Sequence, residues 1–278
     1  AMAGALAEYF GAIEGASLEA NKGAYSYAWM IIFAVIAAIM VLIGLYHIRM
    51  LPSNQIPSTT KKTTSEVGRE LVAVIANFFT KKHIFYYICF IILYRLAEGF
   101  IMKIAPLFLR ASREVGGLGL SLKEIGTLNG VFGSAAFVLG SLLAGIYVSK
   151  FGLKRTLFTL CCIFNLPFLA YTFLAVTQPT NVYLIGTCIT MEYFGYGFGF
   201  VGLTLFMMQQ IAPGKHQMSH YAFASGIMNL GVMLPGMVSG YFSDLLGYRN
   251  FFIYVLIATI PAFLITYFIP FTYDDSKK

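Results

Sequence analysis

The feature that most constrains this chain is a series of seven apolar runs, each long enough to cross the hydrocarbon core of a bilayer. Inside lipid, backbone groups must find their hydrogen-bond partners within the segment, which favours helices. The predicted spans are 26–47, 84–109, 122–149, 155–176, 182–210, 217–243 and 250–271. The sequence therefore predicts an all-α integral membrane protein with seven transmembrane helices and the lipid bilayer as its surroundings.

The composition and the placement of charge agree with this prediction. Of the 278 residues, 58% are hydrophobic and 11% are charged, whereas a soluble domain has about 25% charged residues. A water-soluble globule is therefore excluded. The net charge of +7 comes mostly from residues between the apolar runs, where Lys and Arg record topology. We therefore expect no nucleic-acid partner.

The loops predict an orientation, because cytoplasmic loops are richer in Lys and Arg. Alternation of the spans places twelve basic residues on one side and five on the other. The first set is Arg49, Lys61, Lys62, Arg69, Lys81, Lys82, Lys150, Lys154, Arg155, Lys215, Lys277 and Lys278, and the second is Lys22, Arg110, Arg113, Lys123 and Arg249. This asymmetry predicts a cytoplasmic C-terminus.

Residues 48–83 form the one long polar connection. Its first half is rich in Pro, Ser and Thr, which is typical of a flexible linker. From about Ser65, apolar residues recur at helical spacing and predict an amphipathic helix on the membrane surface. Its apolar positions are Val67, Leu71, Val74, Ile75 and Phe78.

This connection suggests three parts. Residues 1–47 would be the end of an N-terminal bundle, with 26–47 as its last transmembrane helix; 48–83 would be a cytoplasmic linker; 84–278 would form a six-helix C-terminal bundle. Transporters are often built from two such repeats with the substrate site between them. We therefore expect the rest of the N-terminal bundle of the same protein to be a missing partner of this chain.

Three ionisable groups lie inside the run 92–109, namely Arg95, Glu98 and Lys103. On a continuous helix they form one polar stripe with Pro106. A charge inside the membrane costs at least about 2.5–3.5 kcal/mol, so the stripe indicates a water-filled cavity that binds a small-molecule substrate. The alternative is a structural Arg95–Glu98 pair with Lys103 extending toward the membrane surface.

Glu192 is a second acid near the middle of a span, within "ITMEYFGYGFGFVGLTLF". A buried carboxyl without a cationic neighbour on its helix favours the neutral form, which suits a group that carries protons. Glu192 is thus the preferred proton-coupling residue, with Glu98 as the other candidate. Alternatively, a protonated Glu192 joins two helices. The aromatic residues that follow it either contact a sugar ring or face lipid.

Two asparagines, Asn129 and Asn229, lie among small residues at four-residue spacing, a pattern typical of membrane helix packing. Both are candidates for substrate binding from a central cavity. Each could equally form an interhelical hydrogen bond.

Two loops share a motif. The stretch "GIYVSKFGLKRTL" contains Gly145, Lys150, Gly152, Lys154 and Arg155, and "GYFSDLLGYRNFF" at 240–252 is a second copy on the predicted opposite side. The first stretch resembles the loop motif of the major facilitator superfamily, although Ser149 stands where Asp is commonest. The resemblance implies two six-helix bundles and secondary active transport.

The stretch "YAFASGIMNLGVMLPGMVSGYFSDLLGYRNFF" at 221–252 resembles, more narrowly, AmpG-type muropeptide permeases and the related peptide/acetyl-coenzyme A transporter group. This resemblance implies proton-driven import of anhydromuropeptides across the bacterial inner membrane. The alternative is a transporter of another small solute, such as a sugar, an organic anion or an acyl-coenzyme A.

Two other classes of protein are less favoured. A seven-helix receptor with a Schiff base needs a lysine in the last span, and 250–271 contains no Lys, Arg, His, Asp or Glu. For an enzyme, the paired histidines His216 and His220 have no acid nearby, and the sequence contains no HExxH motif. We expect neither catalysis nor a metal or cofactor.

Overall fold

The computed structural model describes residues 2–13, 19–50 and 63–273, and in these ranges all regular structure is helical. The α-helices are α1 (Met2–Tyr9), α2 (Lys22–Met50), α3 (Thr64–Phe79), α4 (Ile84–Tyr94), α5 (Leu96–Arg110), α6 (Leu122–Thr127), α7 (Ser134–Phe151), α8 (Leu153–Asn165), α9 (Phe168–Thr177), α10 (Val182–Phe206), α11 (Gln217–Ala258) and α12 (Ile260–Tyr267). Short turns of 3-10 helix (Arg113–Val115) and π-helix (Leu128–Gly133, Met207–Ile211) connect some of them. The predicted all-α class is confirmed.

Five helical stretches in the described ranges are long and apolar enough to cross a membrane: Lys22–Met50, Ile84–Arg110, Leu122–Phe151, Leu153–Thr177 and Gln217–Tyr267. The other predicted span, 182–210, is helical in α10 but contains Glu192, which lowers its hydropathy. The last two predicted spans lie together in the 51 residues of Gln217–Tyr267, more than one crossing needs. The count of seven stays a prediction.

The loops gather at two ends of the bundle. At one end, Arg113 donates hydrogen bonds to the carbonyls of Gln178 (2.8 Å) and Pro179 (2.9 Å). At the other, Lys81 Nζ donates to the carbonyls of Ile211 and Pro213, the latter at 2.7 Å. These contacts match the predicted alternation of spans. Which end faces the cytoplasm stays a prediction.

Two closely packed helix pairs form the core of the bundle, α5 with α11 and α7 with α10. The second pair, α7 with α10, meets at glycines. A Cβ at Gly140 would overlap the carbonyl oxygen of Phe194, and one at Gly197 would overlap that of Phe137. The two backbones are therefore in direct contact.

The segment predicted as an amphipathic helix forms α3, and its apolar face packs on the bundle. Its place on the membrane surface stays a prediction. Val74 and Phe78 are buried, and the Phe78 ring contacts His220 and Phe223 of α11 at 5.7 and 5.6 Å between centroids. Leu71 stays exposed. Most of the predicted flexible segment falls on 51–62, and the side chain of Val67 is likewise outside the described part of the chain.

The two loop motifs share one backbone feature. Gly152 has φ 80° and ψ 148°, and Gly247 has φ 69° and ψ 160°, a region that is essentially restricted to glycine. Gly152 separates α7 from α8, whereas Gly247 interrupts the long α11. The same backbone conformation therefore requires a glycine at position 152 and at position 247.

The sequence did not predict helix α1. It packs between α2 and α6, and Glu8 lies 3.6 Å from Lys123 in an exposed ion pair. Helix α2 packs mainly against α1, and most of its other side chains are exposed.

Candidate functional site

The candidate site begins at a break in the middle of the segment 84–110. Helix α4 ends at Tyr94 and α5 begins at Leu96, while Arg95 between them has φ −103° and ψ 4°. The buried Tyr94 hydroxyl donates a 2.9 Å hydrogen bond to the carbonyl of Gly199 in α10. This bond holds the break against the neighbouring helix.

Arg95 forms a bidentate ion pair with Glu98. Its Nε lies 2.6 Å from Oε2 and its Nη2 lies 2.5 Å from Oε1. The two residues are 5% and 6% exposed, so the pair is shielded from solvent. Glu98 lies in the first turn of α5, where the helix dipole favours a negative charge.

Two aromatic residues of α10 complete the surroundings of Arg95. Its Nη2 also lies 3.5 Å from the hydroxyl of Tyr196, and its guanidinium carbon lies 5.3 Å from the ring centre of Phe200. A cation held over an aromatic face gains electrostatic stabilisation. The site is therefore built from α5 and α10 together.

Glu192 lies on α10, one turn before Tyr196. Glu192 interacts electrostatically with Glu98 of the ion pair, and also with Tyr171 and Tyr193. Glu192 takes part in neither ion pair of the described residues, which are Arg95–Glu98 and Lys123–Glu8. Glu192 therefore belongs to the same cluster as the ion pair but is not neutralised by it.

The structure does not bring the other predicted residues into this cluster. Lys103 is exposed and extends along α11, where its Cγ would lie 3.4 Å from a Cβ at Gly236. Asn129 lies in a π-helical turn with its Oδ1 buried and without a hydrogen-bond partner. Asn229 is exposed on α11. The predicted stripe requires Arg95, Glu98 and Lys103 to face one cavity. In the structure Arg95 and Glu98 are buried as a pair, whereas Lys103, five residues beyond Glu98 on the same helix α5, is exposed.

Sequence reasoning missed Tyr94 and Tyr171. A tyrosine within an apolar run gives no signal of its hydrogen-bond partner. Tyr196 and Phe200 were noted as part of an aromatic series, but their contact with Arg95 depends on the packing of α10 against α5.

The segment 84–110 is a broken helix, and the buried Arg95–Glu98 pair lies near its centre within a bundle of apolar helices. These features define a polytopic helical membrane protein with a polar site at mid-membrane. Comparison with known proteins identifies its family. The model of the Major Facilitator Superfamily matches residues 1–211, and the chain belongs to this superfamily.

The curated relatives include a permease. The chain is 23% identical over 209 residues to the anhydromuropeptide permease of Escherichia coli strain K12. The matched residues make up 75% of this chain and 41% of that protein. It is 25% identical over 238 residues to a Rickettsia bellii protein that carries the name AmpG 1, covering 84% of this chain and 56% of that protein. The chain thus spans about half the length of these relatives.

Proposed function

We propose that this chain is part of a secondary active transporter that imports anhydromuropeptides or related sugar-peptides across the bacterial inner membrane together with protons. The superfamily and the permease among the relatives favour transport rather than catalysis. The observation that carries the proposal is the buried Arg95–Glu98 pair at the helix break.

The pair suits recognition of an anion. The guanidinium of Arg95 would bind a carboxylate of the substrate in place of Glu98 when the displaced Glu98 takes up a proton, because a buried unpaired charge costs about 3–5 kcal/mol. Charge-assisted, bidentate hydrogen bonds to a carboxylate are the strongest that Arg makes. Muropeptides carry carboxylates, and the rings of Tyr196 and Phe200 beside Arg95 offer flat faces to a sugar.

The remaining substrate contacts would come from the exposed or partly exposed Lys103, Asn129 and Asn229 once a second bundle closes the cavity. Residues 1–47 would contribute the last helix of that bundle, 48–83 the cytoplasmic linker and 84–278 the second half. The limited packing of α2 and the greater length of the relatives support this arrangement. The C-terminus would be cytoplasmic.

The test is uptake by the intact protein in proteoliposomes. Arg95→Gln should reduce uptake of anhydromuropeptide at least about tenfold, the effect of losing roughly 1.4 kcal/mol of binding. Arg110→Gln, at the end of the same segment, is the matched control and should transport normally.

A second variant separates binding from folding. Removing one partner of a buried pair leaves the other unpaired at a cost of about 3–5 kcal/mol, so Arg95→Gln could unfold the protein. Arg95→Gln/Glu98→Gln leaves no unpaired charge. If this double variant folds and transports as well as the wild type, the pair is structural and the proposed binding site is wrong.

A further inference from the structure

A cavity lies at the end of the bundle where Lys81 donates hydrogen bonds to the 211–213 turn. Its volume is about 520 Å³, and it lies between the α7–α8 loop and the last turns of α10. The residues that matter here are Val148, Ser149, Lys150, Arg155, Val201 and Leu205. This cavity is separate from the Arg95–Glu98 site, which is at mid-membrane.

The mouth of the cavity is cationic. Lys150 and Arg155 both line it and both are exposed. Lys150 Nζ lies 5.5 Å from the ring centre of Phe151. In the part of the chain that the structure describes, no carboxylate forms an ion pair with either residue. Among the described residues, two positive charges therefore lie at one opening without an ion-pair partner of their own.

The inner wall is apolar. Val148 is buried, and the partly buried Val201 and Leu205 of α10 lie across from it. The basic residues at the mouth would attract a free phosphate ion, but the apolar wall would add nothing to its binding free energy. A ligand with an anionic head and hydrocarbon next to it satisfies both surfaces.

The position of the cavity identifies the source of such a ligand. The cavity also includes Gln209, two residues before Ile211, whose carbonyl accepts the hydrogen bond from Lys81. This level is the end of the apolar helices, where lipid head groups lie. Basic pockets between transmembrane helices on the cytoplasmic side bind the heads of anionic lipids.

We propose that Lys150 and Arg155 bind the phosphate of an anionic phospholipid from the leaflet at this end, with the first part of an acyl chain against Val148, Val201 and Leu205. Ser149 would donate a further hydrogen bond to the phosphate. The bound lipid would join the α7–α8 loop to the end of α10. The proposal concerns binding alone and does not depend on the transported substrate.

The experiment is native mass spectrometry of the intact protein with phosphatidylglycerol, and in parallel with phosphatidylcholine and with soluble glycerol 3-phosphate. The wild type should retain phosphatidylglycerol in preference to the other two. Lys150→Gln/Arg155→Gln should weaken its retention by about tenfold or more, since each basic group near an anionic head contributes to binding.

Two further variants make the result decisive. Arg110→Gln/Arg249→Gln removes the same charge at the opposite end and should retain the lipid as the wild type does. Lys150→Arg/Arg155→Lys keeps both charges and should also retain it. Equal binding of phosphatidylglycerol to the wild type and to Lys150→Gln/Arg155→Gln overturns the proposal, as does glycerol 3-phosphate binding as tightly as the lipid.

Discussion

Gly99 of α5 lies directly against the ring of Pro235 in α11. A Cβ at position 99 would overlap Pro235 Cγ and would lie 2.7 Å from the carbonyl oxygen of Val232. Gly99 follows Glu98 in the chain, so the place where the two helices touch is adjacent to the buried ion pair. The separation of α5 and α11 and the position of Glu98 are therefore linked.

Gly99→Ala should destabilise the protein, because the added methyl group forces the two helices apart; overpacking of this kind costs about 1–3 kcal/mol. The measurement is the thermal unfolding midpoint in detergent. The control is Gly226→Ala in the partner helix α11, where an added Cβ meets nothing within 4 Å. This variant should be as stable as the wild type or slightly more stable. If both variants unfold at the same temperature, the contact with Pro235 is not tight.

Glu192→Gln should abolish proton-driven accumulation of substrate while leaving downhill exchange intact, because a neutral amide cannot load and release a proton. The measurement is uptake in proteoliposomes with and without an imposed pH gradient. Glu114→Gln, in an exposed loop, is the control for loss of an acid. Undiminished accumulation in Glu192→Gln would leave Glu98 as the coupling group within this chain.

Gly152→Ala and Gly247→Ala should each destabilise the protein by about 1–3 kcal/mol, the usual cost of a side chain in that backbone region. Gly145→Ala is the control within the same loop motif, since its backbone is helical and a Cβ there meets nothing within 4 Å. Thermal unfolding of the three variants checks this. Equal stability of Gly152→Ala and Gly145→Ala would contradict the assigned conformation.

Lys81→Met should loosen the 211–216 turn, because the turn loses the hydrogen bonds to the carbonyls of Ile211 and Pro213. Limited proteolysis of this turn should become faster, whereas Lys82→Met, at an exposed neighbour, should leave it unchanged. Equal rates in the two variants would show that Lys81 does not hold the turn.

Lys81 also makes the free energy of unfolding depend on pH. Partial burial lowers the pKa of Lys81 below its usual 10.5. Just below pH 10.5 the unfolded chain therefore holds more protons at this position than the folded chain, and stability rises with pH. The stability advantage of the wild type over Lys81→Met should accordingly grow in that window. A decline there would contradict the direction of the pKa shift.

The extent to which this structure follows from sequence depends on how local each interaction is. The Arg95–Glu98 pair could be predicted because residues three apart on a helix share a face, and α3 could be predicted from its apolar spacing. Both depend on neighbours in the chain.

The break at Arg95 could not be predicted in the same way. No Pro or Gly stands at 94–96 to interrupt a helix, and the hydrogen bond from Tyr94 to Gly199 joins residues far apart in sequence. Lys103 lies on the same helix α5 as Glu98, and its exposure depends on how α5 packs against α11, which helical spacing alone does not give. Helix α1 was missed because its eight residues are too few to give a periodic pattern.

The break has a mechanical consequence. Helix α4 adjoins the linker helix α3 at its start and packs against α11 and α12, whereas α5 packs mainly along α11. The helices α4 and α5 meet at the non-helical dihedral angles of Arg95. Rotation about the φ and ψ bonds of Arg95 changes the tilt of α4 relative to α5 without disturbing the hydrogen bonds inside either helix. Arg95 at this joint is paired with Glu98 in the first turn of α5, so the ion pair bridges the two helices at the point where their angle is set.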